Sequence, residues 1–119
     1  MPVPWTPQQA VLVDTLVSSH PPSSGRCVEL ARAILPIALE LDSGARALLL
    51  RPKPNRGRFV VPRAGERRWY HHALVDVDDH GVDALTGAEG TPLDVYLSTH
   101  WRFPEALALA AHDLTPEAL

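Results

Sequence analysis

Three side chains in this sequence have the types that covalent catalysis at a carbonyl carbon requires. Cys27, in the stretch "SGRCVELARA", is the only cysteine of the chain, and His72 in "WYHHALVDV" and Asp83 in "GVDALTG" follow it in that order. Attack by a thiolate needs a cysteine of lowered pKa, a histidine within hydrogen-bonding reach, and a third group that holds the imidazole in one tautomer. A thiol in the first turn of a helix feels the positive end of the helix dipole, which favours S⁻ over SH. The free N–H groups of that turn, the one of Cys27 foremost, also point where an oxyanion would form.

The same residues have plainer readings. A small thiol beside Val28 and Leu30 is on base rates an inert core residue. His71 and His72 alternate on a strand, so one of them faces outward as a solvated imidazole, and Asp83 can serve simply as a turn cap. Asp76, Asp78, Asp79 and His80 match no common metal-ligand spacing and read as an exposed acidic turn. No metal and no cofactor are therefore expected.

These residues need elements to position them. Thr6 can cap a first helix, Pro7 suits its first position and Gln9 stands where a capping box wants its return partner, so a helix is predicted from Pro7 to about Ser18. Ala10, Val13, Leu16 and Val17 form its apolar stripe. "SHPPSSG" breaks it, and a second helix runs from about Arg26 to Leu39 with Val28, Ala31, Ile34 and Leu35 inward, placing Cys27 in its first turn. "ARALLLRP" reads as a strand and "RFVVP" as a short extended piece, with the turn-rich loop "PKPNRG" between them. A hairpin follows: a strand from Trp69 to Val77, a turn over Asp78 to Gly81 and a return strand from Val82 to Leu85. Facing residues would then be Val77 with Val82 and Asp76 with Asp83, leaving His72 a few residues from Asp83 unless a bulge shifts the register. "LDVYLSTHW" is predicted as a short helix and "EALALAAHDL", opened by Pro104, as a last one. The fold class expected from this order is α+β.

At 119 residues and 45% hydrophobic, the chain fits one domain spanning 1–119 with a single core. A formal charge of −3 argues against nucleic acid as the main partner. One cysteine cannot form an intrachain disulfide, so the fold is expected to work in a reducing compartment. "MPVPWTPQQA" lacks a basic n-region, and no stretch approaches the roughly 20 apolar residues of a membrane span, so no membrane partner is expected.

With these residues in order, "CVELARAI", "HHALVDV" and "VDALTGAEGTPLDVYL" together resemble the papain fold toxin domains of bacterial polymorphic toxins, within the wider papain-like and transglutaminase-like group. The resemblance covers roughly Ser23 to Trp101. It implies a papain-like core in which N-terminal helices, the second carrying Cys27, pack on a small antiparallel sheet, with helices at the C-terminus. It also implies Cys27, His72 and Asp83 in the triad roles, His72 being preferred to His71 because it immediately precedes Ala73. Gln8 and Gln9 lie too far upstream to match the papain glutamine, so the second oxyanion donor stays open. What the resemblance implies for function is a cysteine hydrolase delivered as part of a larger toxin, acting in the target-cell cytoplasm on a protein amide by deamidation, proteolysis or acyl transfer. A cognate immunity protein would be its partner. Two alternatives stand beside it: a transglutaminase-like processing peptidase, and a non-catalytic binding module with Cys27 in its core. Oligomeric state is not legible.

Overall fold

The computed structural model describes residues 1–65 and 67–119. Helix α1 spans Pro7–Ser19 and opens with the expected capping box: Thr6 accepts from the Gln9 N–H, and the Gln9 side chain accepts from the Thr6 N–H. This reciprocal pair satisfies two of the orphan donors at the helix start. After a single 3₁₀ turn at Pro22–Ser24, helix α2 runs Cys27–Leu41, starting one residue and ending two residues later than expected and continuous through Pro36.

Five strands follow in one antiparallel sheet: β1 Arg46–Pro52, β2 His72–Val77, β3 His80–Val82, β4 Thr91–Pro92 and β5 Leu107–Ala111. Their spatial order is β4-β3-β2-β1-β5. Helix α3, Leu93–His100, leaves directly from β4. The molecule is thus an α+β domain with three helices beside an antiparallel sheet. No helix among the described residues is long and apolar enough to cross a membrane.

The alternation of the strands divides the core between the two faces of the sheet. Ala47 and Leu49 of β1 and Ala73, Val75 and Val77 of β2 meet Leu30, Ala31, Ile34 and Ala38 of α2 and Val13 of α1. Leu48 and Leu50 of β1 and Leu74 of β2 turn to the opposite face, against Val60, Tyr96, Trp101 and Leu107. Of the stripes expected on the helices, Val13, Ala31 and Ile34 are buried, while Leu16, Val17, Val28 and Leu35 pack partly covered at the margin.

Two expectations are corrected. The segment "EALALAAHDL" is not a helix: Pro104–Ala106 is a 3₁₀ turn, and Leu107–Ala111 is an edge strand paired to β1 from Leu48↔Ala111 to Pro52↔Leu107. Alanine and leucine favour a helix weakly, but β1 would otherwise leave a row of backbone N–H and C=O groups unpaired beside buried leucines. The C-terminal helices expected are therefore replaced by the single helix α3 and this strand. In the hairpin, the turn is the two-residue Asp78-Asp79, both with positive φ (51° and 58°), the backbone that matches strand twist. The register is Val75↔Val82 and Val77↔His80 rather than Val77 with Val82, and β3 starts at His80 instead of ending at Leu85. Asp83 consequently does not face Asp76. Asp76 pairs with Gly81 across the strands and forms a 3.1 Å ion pair with Arg46.

Candidate active site

Cys27 is the first residue of α2, and its thiol is half-buried. The helix start has no side-chain cap, since Arg26 at the N-cap position makes no capping hydrogen bond and is instead paired with Glu29. The first intrahelical bond is the Leu30 N–H to the Arg26 carbonyl. The N–H groups of Cys27, Val28 and Glu29 thus precede the hydrogen-bonded ladder of the helix.

His72 opens β2 and is almost fully buried, with 2% of its surface exposed. Its Nε2–H donates to Asp83 Oδ2 at 2.9 Å; a carboxylate only accepts, so this bond sets the tautomer. Asp83, also 2% exposed, lies immediately after β3, where the chain turns toward Gly87. Its Oδ1 accepts the N–H groups of Leu85 and Thr86, both at 2.9 Å. The Tyr96 hydroxyl of α3 donates to Oδ2, the same oxygen that receives His72. The carboxylate is therefore an Asx turn, as the plainer reading of Asp83 expects, and an imidazole partner as well.

Electrostatics follow from this packing. Burial opposes charge on both groups, yet the mutual hydrogen bond and attraction of His72 and Asp83 win: Asp83 is held below the usual carboxylate range and His72 is pushed up to about 9. Burial alone would raise the Cys27 thiol, but hydrogen bonding and attraction from His72, with the backbone N–H groups of Ala73 and Val28, bring it below its ordinary value. The Tyr96 hydroxyl is raised well above its ordinary value by burial and by the Asp83 charge, which keeps it protonated as a donor. The remaining imidazole nitrogen, His72 Nδ1, makes no hydrogen bond, although the thiol of Cys27 and the imidazole are near enough for each to shift the other's pKa. Such contacts are often long in a substrate-free site and tighten in the complex.

No family model, curated protein or solved structure matches the chain. The structure brings Cys27, His72 and Asp83 into one chain of contacts, and it is His72 rather than His71 that meets Asp83. His71 is half-buried and lines the same cleft, its pKa lowered by burial and by the nearby charges of Arg51, His72 and His112. Gln9 is occupied in the α1 cap, and Asp78 and Asp79 form the exposed hairpin turn.

Three residues of the site escape sequence reasoning. Trp69 stacks on the imidazole at 5.5 Å and 16°, and Trp101 lies against it at 5.0 Å and 54°, so two indole rings cover the imidazole and favour its cationic form. Tyr96 is the third. It falls in "LDVYLSTHW", expected as a short helix, and nothing local marks its hydroxyl for Asp83. Gly81 makes that approach possible: a Cβ there would meet Leu74 at 2.8 Å and the Tyr96 ring at 3.0 Å. Expected as a turn residue, Gly81 is instead the strand position across which Tyr96 lies.

The thiol opens into a cleft of about 220 Å³ walled by Pro22, Gly25, Trp69, Tyr70 and Ala84. One side chain can enter such a space alongside Cys27 and His72. Among the described residues no group of three His, Cys, Asp or Glu side chains could hold a metal ion.

Proposed function

We propose that the domain is a cysteine hydrolase of amide bonds, with Cys27 as nucleophile, His72 as general acid and base, and Asp83 as the group that orients and stabilises the imidazolium. The observation that carries this reading is the buried imidazole committed to Asp83 through Nε2, with Nδ1 left unpartnered beside a cleft that it lines together with a half-buried thiol at a helix start. A core histidine needs no such asymmetry. A nucleophile, by contrast, needs a base whose far nitrogen is fixed and whose near nitrogen is available.

The lowered thiol and raised imidazole favour a thiolate and imidazolium pair in the ground state. The Cys27 sulfur attacks the amide carbon, forming a C–S bond while the carbonyl electrons move onto oxygen. The N–H groups at the start of α2 can receive that oxyanion. When the C–N bond breaks, His72 Nδ1–H protonates the departing ammonia or amine, leaving a thioester and a neutral imidazole. Water then loses a proton to Nδ1 and adds to the thioester; the C–S bond breaks, releasing the acid and restoring the thiolate-imidazolium pair. Turnover is expected to fall as pH rises through about 9, where His72 loses the proton that the leaving group requires.

A helix bearing the nucleophile, packed on an antiparallel sheet bearing the base, supports a papain-like core. On that reading, and on the sequence resemblance, the domain is a papain-like toxin effector that deamidates a glutamine or cleaves a peptide bond of a target-cell protein and is held in check by an immunity protein. The test is expression of wild-type and Cys27→Ala proteins in bacterial cytosol, followed by mass spectrometry of cellular proteins. A gain of about 1 Da at a glutamine, or new protein termini, in the wild type alone is expected from the two fates of an acyl-enzyme. Undiminished toxicity of the Cys27→Ala protein would remove the proposal.

A further inference from the structure

The protein is acidic overall, with fourteen Asp and Glu against eleven Lys and Arg. The surface around Cys27 departs from that balance. The cleft is bordered by Arg68, and its wall residues Pro22 and Trp69 are shared with a neighbouring groove of about 370 Å³ that Arg67 lines. On the other side Arg68 is shared with a groove formed with Val61, Arg102 and Phe103. Among the described residues, no Asp or Glu lines any of these three grooves.

Among the described residues the contacts that hold these arginines are to backbone carbonyls and an aromatic ring, and Arg102 shares a further groove with Glu105. Arg67 donates to the Ser23 carbonyl at 2.9 Å and Arg102 to the Gly65 carbonyl at 3.2 Å. The Arg68 guanidinium sits 6.0 Å above the Phe59 ring, and Phe59 in turn lies 5.2 Å from Tyr70. Tyr70 is 73% exposed and Phe103 68%. A set of adjoining grooves lined by arginine and aromatic side chains therefore borders the cleft of the thiol.

We infer that the substrate presents its amide within an acidic, extended stretch of polypeptide, with Arg68 reading a carboxylate beside the attacked residue and Arg67 and Arg102 extending that selection along the grooves. This substrate class rests on the cysteine-hydrolase reading. Arginine suits the role because its planar guanidinium matches a carboxylate geometrically and stacks on aromatic faces. Polypeptide is favoured over nucleic acid because the grooves border the cleft of a thiol-imidazole pair, whose chemistry takes an amide carbon.

Fluorescence polarisation on the full-length Cys27→Ala protein tests the inference. The probes are a labelled glutamate-rich peptide with one central glutamine, its lysine-rich counterpart, and a single-stranded RNA oligonucleotide. The glutamate-rich peptide should bind best and weaken with added salt. Arg68→Gln should reduce its affinity roughly two- to fivefold, the range of an exposed charge pair, and Arg68→Glu should reduce it further. Iodoacetamide alkylation of Cys27 in the wild-type protein reads the hydrolase proposal separately, since it needs a reactive thiolate and no peptide. Equal affinity for the two peptides, preference for the lysine-rich one, or tighter binding of RNA would overturn the inference while rapid alkylation near pH 6 leaves the hydrolase reading standing. Slow alkylation at that pH would remove both.

Discussion

The two faces of the sheet solve different problems with neighbouring residues of the same strands. On one face Ala73, Val75 and Val77 of β2 meet aliphatic side chains of α1 and α2, an interior of alanine, valine, leucine and isoleucine. On the other, Leu74 shares its surroundings with Tyr96, Trp101 and Val60, and His72 at the strand's start lies between Trp69 and Trp101 and bonds to Asp83. The aliphatic face follows from transfer of apolar surface out of water, which is non-directional. The aromatic face buries an imidazole and a carboxylate, a cost offset by their mutual hydrogen bond and by the N–H and hydroxyl donors to Asp83. One face therefore supplies stability that many sequences could replace, and the other holds a directional network that few could.

The comparison breaks most sharply under Asp83→Asn. This change keeps the side-chain volume but can present an amide N–H₂ or a neutral oxygen to His72, so turnover should fall on the order of 10³- to 10⁴-fold while the fold persists. His72→Ala should lose a similar amount, and the double mutant should be scarcely worse, because residues that act as one unit are not additive. Additive losses in kcat/KM would show that Asp83 acts apart from His72.

Ile34→Ala probes the aliphatic face. Ile34 is fully buried, and the change should cost about 2–5 kcal/mol in urea unfolding through lost transfer energy and cavity formation. The alkaline limb of activity, set by His72 on the other face, should stay near 9 in the folded fraction. A shift of that limb would mean that the two faces are not independent.

Tyr96→Phe separates packing from hydrogen bonding on the aromatic face, since the ring remains and only the donor to Asp83 is lost. About 1–3 kcal/mol of stability should go with it, the range for a hydrogen bond to a charged group and for a buried acceptor losing a partner. With one donor gone, Asp83 attracts the His72 proton more strongly, so the alkaline limb of activity should move above its wild-type position near 9. A downward move would contradict the placement of Tyr96 as a donor to the shared oxygen.

A smaller effect is expected in the pH dependence of stability. His72 is raised from 6.5 to about 9 on folding, so its contribution is complete below pH 6.5 and is lost as pH rises through 9. Cys27 has the opposite sign: its folded pKa is lowered, so its contribution is present above the ordinary thiol value of 9.0 and is lost as pH falls through the folded one. Between pH 6.5 and 9 the two slopes oppose each other. Urea midpoints of the wild type should accordingly change less across this window than those of Cys27→Ala, where the downward slope of His72 stands alone. A steeper fall in the wild type would show that the two groups do not share a proton.

The smallest effect is expected at the hairpin turn, outside both faces. Asp78 and Asp79 both carry positive φ, a conformation that asparagine and glycine adopt more readily. Asp78→Asn/Asp79→Gly should raise stability by roughly 0.5–1 kcal/mol without altering activity, read from urea midpoints and kcat/KM together.

What the amino-acid sequence determined by itself was whatever depends on neighbours in the chain. The Thr6–Gln9 capping box, Pro7 at the start of α1, the break at "SHPPSSG" and the apolar stripe of α2 are local signals, and each is found in the structure. The candidate nucleophile was legible because the chain has one cysteine, and its place in a helical first turn follows from the serines and glycine before it. Tertiary structure decided the rest. "ALALAA" became β5 because β1 offered an open edge, and a two-residue turn set the pairing as Val75↔Val82. Tyr96 and Trp101 joined the site by contacts with residues remote from their own segments. Periodicity reports which side of an element is buried; it carries no record of which buried hydroxyl or ring will meet which carboxylate, since that contact exists only once the sheet has brought β2, β3 and α3 together.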